Sequence, residues 1–149
     1  MKVKILLGLI VIAALAVLLP QMLHAKTVAK LHSKLPDLVV STMEVKSIGA
    51  VKNGKVTILY TIKNQGKTIS PATLTRISVG DQVKGVTISH PTPDLQPGGS
   101  YTGKVEYTAS EGKKYFIQAT ADYKNNAFET NELNNGNSMY FSFGRILHQ

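Results

Sequence analysis

Cysteine and tryptophan are absent from these 149 residues, and acidic side chains are scarce, nine against 17 lysines and arginines. The missing cysteine excludes disulfides, a thiolate metal site, a lipid-bearing cysteine and a cysteine nucleophile. A domain without them must be held by its core. Histidine is sparse as well. His24 and His32 lie in the N-terminal segment, His148 lies beside the C-terminus, and only His90 falls in the body of the chain. His90 precedes Pro91 at the end of a strand-like run, which reads as a solvated loop position. It has no second histidine nearby to complete a zinc site, and neither HExxH nor GxSxG occurs. There is no N-x-[ST] glycosylation site either.

Long apolar runs are missing except at the front. Lys2 and Lys4 precede an apolar stretch from Ile5 to Leu19, which Pro20 ends. Fifteen residues are short for a membrane span, which needs about 20, and suit the apolar region of a secretory signal. Residues 1–25 are therefore expected to be a signal peptide, cut after Ala25, or a short N-terminal anchor. Residues 26–35 follow as a linker. Val28, Leu31 and Leu35 stand at helical spacing with Lys26, Lys30 and Lys34 on another face, a pattern open to a surface helix or a frayed continuation of the leader.

The formal charge of +8 changes meaning once it is divided. Five of the basic residues and no acid precede Pro36; from Pro36 onward 12 basic residues face 9 acidic ones, a net of +3. The body therefore carries an ordinary soluble surface. Its lysines are scattered, with only Lys113 and Lys114 adjacent, so a nucleic-acid partner is not expected. Contact with a membrane is expected only through an uncleaved N-terminal segment.

From Asp37 the apolar period becomes two. Strands are predicted over 37–48, 55–64, 72–79, 82–89, 100–108, 114–122 and 138–143. The clearest is Lys55–Asn64, with Val56, Ile58, Tyr60 and Ile62 in phase. An Asn53-Gly54 turn is expected before it. Breakers fall where alternation stops: Asn64-Gln65-Gly66, Gly80-Asp81, Pro91-Thr92-Pro93, Pro97-Gly98-Gly99 and Glu111-Gly112. Such a series of short strands predicts an all-β, seven-stranded antiparallel immunoglobulin-like sandwich over 36–144, with 145–149 as a tail. Tyr101 and Tyr107 join Tyr60 as core candidates. Tyr115 opens the sixth strand, where such sandwiches place a tyrosine whose hydroxyl bonds a nearby backbone corner. Leu59 and Phe116 fall on the outward phase.

Three of the nine acidic residues gather in one asparagine-rich connection, ADYKNNAFETNELNNGN over 121–137. Calcium takes six to eight oxygens from such side chains. The candidate ligands are Asp122, Asn125, Glu129, Asn131, Glu132 and Asn134, although their spacing is not that of an EF-hand. The same residue types also hydrogen-bond the backbone of tight turns, with Glu129 or Glu132 capping a single helical turn. Tyr123 and Phe128 flank this corner and are expected to plug its base or, as an exposed pair, to form a small contact patch.

PDLVVSTMEV, TILYTIKNQGKTIS, DLQPGGSYTGKV and the ending ADYKNNAFETNELNN together resemble the CARDB family, the cell-adhesion-related domain found in bacteria. The last motif places Asp122, Asn125, Glu129, Asn131, Glu132, Asn134 and Asn135 on the family's pattern. The resemblance covers Pro36 to about Phe143. It implies an immunoglobulin-like sandwich that is exported and non-catalytic, usually repeated within large surface proteins, whereas this chain holds one copy. The expected role is a binding or structural module of the cell envelope, periplasmic, cell-surface or secreted, which engages a protein or glycan. The alternative is a structural envelope domain stabilised by calcium. A small hydrolase is a third reading, and the residues give it no support.

Overall fold

A computed structural model describes residues 34–47 and 53–143, with Met22, Lys26 and Thr27 ahead of them. The expectations for the leader, most of the linker and the tail fall outside these residues. Two compact units divide at Lys34 and Leu35, and the second holds the β-domain. Among the described residues no helix is long and apolar enough to cross a membrane.

Seven strands form, as the alternation predicts: β1 Leu38–Ser47, β2 Asn53–Asn64, β3 Thr73–Gly80, β4 Gly85–Thr92, β5 Ser100–Ser110, β6 Lys113–Thr120 and β7 Gly136–Phe143. They pair antiparallel in two sheets, β1-β2-β5 and β4-β3-β6-β7. The fourth strand thus sits at the edge of the larger sheet, where the constant-type immunoglobulin arrangement would attach it to the other one.

The inner faces bury Ile58, Tyr60 and Ile62 from β2 against Ile77 and Val79 from β3 and Ile117 and Ala119 from β6. Each fully buried isoleucine stabilises the fold by about 1.5–3 kcal/mol. Along β1 the inward residues change phase, Leu38 and Val40 first, then Met43 and Val45. A register shift between Val40 and Thr42 absorbs the odd residue, as a β-bulge does. A second cluster of Val56, Ala109, Tyr115 and Phe143 closes the other end. Tyr115 accepts a 2.7 Å hydrogen bond from the Ser110 amide at the β5–β6 corner, the role its position predicts.

Three local expectations are corrected. Asn53-Gly54 does not turn the chain; both residues lie in β2. Gly54 is buried there, because a Cβ at that point would lie 2.4 Å from the Phe143 ring. The fourth strand begins later than predicted and runs through Pro91, which an edge strand accommodates because its outer amides need no partner. His90 is therefore a strand residue, half-buried, with Nδ1 2.9 Å from the Tyr60 hydroxyl. Burial, with Tyr101 adding to it, pushes that hydroxyl's pKa up to about 12, so it stays protonated and bonds His90.

A buried acidic corner as the candidate functional site

The β6–β7 connection does not stand off the surface as a convex, solvated loop. Asp122 is 0% and Glu129 2% exposed. The turn begins with Asp122 and Asn125 in the left-handed region, at φ 37° and 53°, which Asp and Asn tolerate best among residues with a side chain. The Asn125 amide donates to the Asp122 carbonyl at 2.8 Å. The Asp122 carboxylate then accepts from the amides of Asn126 at 3.0 Å and Ala127 at 2.8 Å. Its charge is thus spent on two backbone donors of its own turn, which draws Ala127 into the interior and throws Phe128 outward. Phe128 is 86% exposed and does not plug the base of the corner. Tyr123 is half-buried, its hydroxyl 2.8 Å from Ser89 Oγ.

Glu129 reaches across the molecule. One carboxylate oxygen accepts from the amide of Leu38, at the start of β1, and the other accepts from Asn135 Nδ2 at 2.9 Å. Glu132 accepts from the Glu129 amide at 3.0 Å, and Asn131 Oδ1 accepts from the Leu133 amide at 3.0 Å. No helical turn forms over 121–135, so neither glutamate is a helix cap. Asn134 donates to Asp37 at 3.0 Å, Asn137 to the Val40 carbonyl at 3.3 Å, and the Thr130 amide to the Pro36 carbonyl at 2.8 Å. The last connection of the domain is therefore laced to the first strand's entry, more than 90 residues away in sequence.

Burial raises the Glu129 pKa to about 7; the nearby Glu132 and Asp122 charges push the same way, while the bonds from Leu38 and Asn135 oppose them. The site residues thus fall into three groups. Asp122 and Asn125 build one turn, Asn131 and Glu132 hold backbone amides of the loop that follows, and Glu129 and Asn134 build the lacing with Asp37 and Asn135. Asp37 enters from a distant stretch of sequence and was not foreseen. Neither was the bridging by Asn135, although it belongs to the motif.

Asn64 does for the other side of β1 what Glu129 does here. Its Oδ1 accepts from the amides of Asp37 and Gly66, and its Nδ2 donates to the carbonyls of Thr68 and Leu95. The Asn-Gln-Gly breaker marked a turn, and only the structure shows that its first residue ties three connections together.

As a cation site the corner offers mixed material. Among the described residues no three His, Asp or Glu side chains gather into a group able to hold a metal ion. Two buried amide oxygens, Asn134 Oδ1 and Asn135 Oδ1, nevertheless have no hydrogen-bond partner. Their amide nitrogens are fixed toward the acceptor-only carboxylates of Asp37 and Glu129, so these oxygens must face elsewhere.

Known proteins share this fold. The model of the CARDB family matches residues 35–139. A CARDB domain from Pyrococcus furiosus, crystallised in complex with di-metal ions, is 28% identical with a TM-score of 0.52, over 75% of this chain and 96% of that one. A solution structure of the same domain gives 25% identity and a TM-score of 0.51, over 76% and 98%. A domain of a proposed cell-surface protein of Methanosarcina acetivorans superposes with a TM-score of 0.55 at 23% identity, over 76% and 95%. No curated protein matches the chain.

Proposed function

The chain belongs to the CARDB family, whose model spans residues 35–139, and from that premise we propose that it is a non-catalytic binding module of the cell envelope. It is exported, and it holds a protein or glycan at or near the cell surface. The observation that carries this reading is the commitment of the acidic motif to the fold. Asp122 and Glu129, the carboxylates an acid–base mechanism would need, are buried and hold backbone amides of their own turn and of β1. Such groups are poorly placed to meet a substrate. Recognition then falls to the open sheet faces and edges, which sandwiches of this kind use for docking.

A second reading rests on Asn134 and Asn135. Their orphaned oxygens beside Glu129 could complete a cation site, and the Pyrococcus furiosus relative carries di-metal ions. The cation would then brace the corner and the module would be structural. One experiment addresses both readings. The intact protein, immobilised, is exposed to envelope extract with and without calcium, and its melting temperature is recorded in the same buffers. Reproducible retention of an envelope component, with a melting temperature indifferent to calcium, is the expected result. A calcium-dependent rise in melting temperature with nothing retained would replace the binding module by the calcium-braced structural domain.

A further inference from the structure

The outer face of the larger sheet carries a feature that the fold does not need. Phe116 on β6 lies opposite Tyr140 on β7 and Gly80 on β3, and Gly80 lies opposite Gly85 on β4. Directly paired residues point to one face, so this row crosses all four strands as two aromatic rings followed by two positions without side chains. The neighbours of Phe116 along β6, Tyr115 and Ile117, point into the core. Phe116 is 38% and Tyr140 62% exposed, and their ring centroids are 5.0 Å apart with planes tilted by 50°. They form an open V.

A depression of about 340 Å³ lies beside the V, lined by Gly80, Asp81, Gln82, Lys114, Phe116 and Tyr140. A second of about 330 Å³ lies on the β4 side of Phe116, over Gly80, Gly85 and Thr87. The β3–β4 turn keeps this part of the row low, since a Cβ on Gly80 would lie 2.4 Å from the Lys84 carbonyl oxygen.

The chemistry around the rings is polar and cationic. The next row along the sheet is Ser138, Gln118, Ser78 and Thr87, a line of hydroxyl and amide groups with no aliphatic side chain. Lys114 places its ammonium 4.5 Å from the Tyr140 ring centroid. Arg76 adds a second cation farther along the same face, where it lies 5.5 Å from the Tyr123 ring centroid. No outward position of the four strands carries a carboxylate. The one acid at the rim, Asp81, is neutralised by Lys113 at 2.5 Å and accepts from the amides of Val83 and Lys84.

Exposed aromatic rings attract the C–H face of a pyranose, a ring of hydroxyl and amide groups meets its hydroxyls, and a cationic rim without competing acid selects a negative charge. From this arrangement we infer that the outer face of β4-β3-β6-β7 binds an acidic polysaccharide, with sugar rings seated on either side of Phe116 and a carboxylate paired to Lys114. A protein partner would call for more apolar area around the rings than these rows provide. This site deepens the binding-module reading and rests on it.

Titration of the intact protein with tetragalacturonate, followed by calorimetry and amide shifts, tests the site. The expected result is saturable binding with shifts centred on β6 and β7, weakened about tenfold or more, close to 1.4 kcal/mol, in Phe116→Ala and in Tyr140→Ala. Lys114→Gln should weaken tetragalacturonate but leave its neutral methyl ester unchanged, while Phe128→Ala, on the acidic corner, changes neither. The proposal is overturned by absence of binding, by binding that survives both aromatic substitutions, or by equal affinity for the methyl ester. If tetragalacturonate fails while envelope material is still retained, the saccharide site falls and the broader module stands.

Discussion

Glu129 shows how one side chain can carry both the stability and the pH response of this domain. Its carboxyl, with a pKa raised to about 7 against an ordinary 4.5, binds its proton more tightly in the folded state than in the unfolded chain. Such a group contributes stability that is complete below about pH 4.5 and is lost as the pH climbs through about 7. The melting temperature of the native protein should therefore fall between pH 5 and 7.5. Glu129→Gln should flatten that slope, because the new amide oxygen can still accept from Leu38 and its nitrogen can donate to a turned Asn135. Glu129→Ala should cost about 2–4 kcal/mol near pH 5, since it strands the Leu38 amide and the Asn135 amide in the interior, and less toward pH 7.5, where the native protein has itself lost the proton-linked part. A native protein whose melting temperature stays level from pH 5 to 7.5 would show that this carboxyl does not titrate in the corner. None of this was legible in the sequence, where Glu129 looked like one oxygen donor among several. What buries it is a partner 91 positions away at the start of β1, and a local pattern cannot name such a partner.

At the scale of the elements the sequence was far more legible, for a physical reason. Strand pairing with one buried face imposes a period of two, and β2, β5, β6 and β7 show it in Val56 to Ile62, Gly103 to Ala109, Tyr115 to Ala119 and Met139 to Phe143. Tyr115 was likewise readable, because a corner tyrosine is fixed by its place relative to the strand it opens. Legibility failed where an element departs from the period or where a turn signal has another use. Asn53-Gly54 has the composition of a hairpin turn, yet Gly54 serves as space for the Phe143 ring. Asn64 was visible only as a breaker, although its four hydrogen bonds join the entry to β1, the β2–β3 connection and the β4–β5 connection. Asn64→Asp separates the two readings of that residue. A mere turn former would tolerate the change, whereas a hub would be left facing the Thr68 and Leu95 carbonyls with a carboxylate oxygen. Denaturant unfolding should then show a loss of about 3 kcal/mol or more, against less than about 1 kcal/mol for a solvated turn.

Over the whole molecule the two sheets divide the labour, and β6 shows the division within two adjacent residues. Ile117 is fully buried and faces the β1-β2-β5 sheet, while Phe116 next to it faces outward beside Tyr140. The strand is common to both, so differences between substitutions at the two positions report the faces and not the element. Ile117→Ala opens a cavity between sheets that cannot collapse without moving both, which should cost about 2–5 kcal/mol. Phe116→Ala removes a half-covered ring from a cross-strand pair and should cost about 1 kcal/mol or less. Equilibrium unfolding of the two variants beside the native protein provides the comparison. A small loss for Phe116→Ala together with the loss of saccharide binding would mean that the ring is kept for what it touches outside the domain. An equal loss of stability at both positions would make Phe116 part of the fold, and the outer face would then have no claim to recognition.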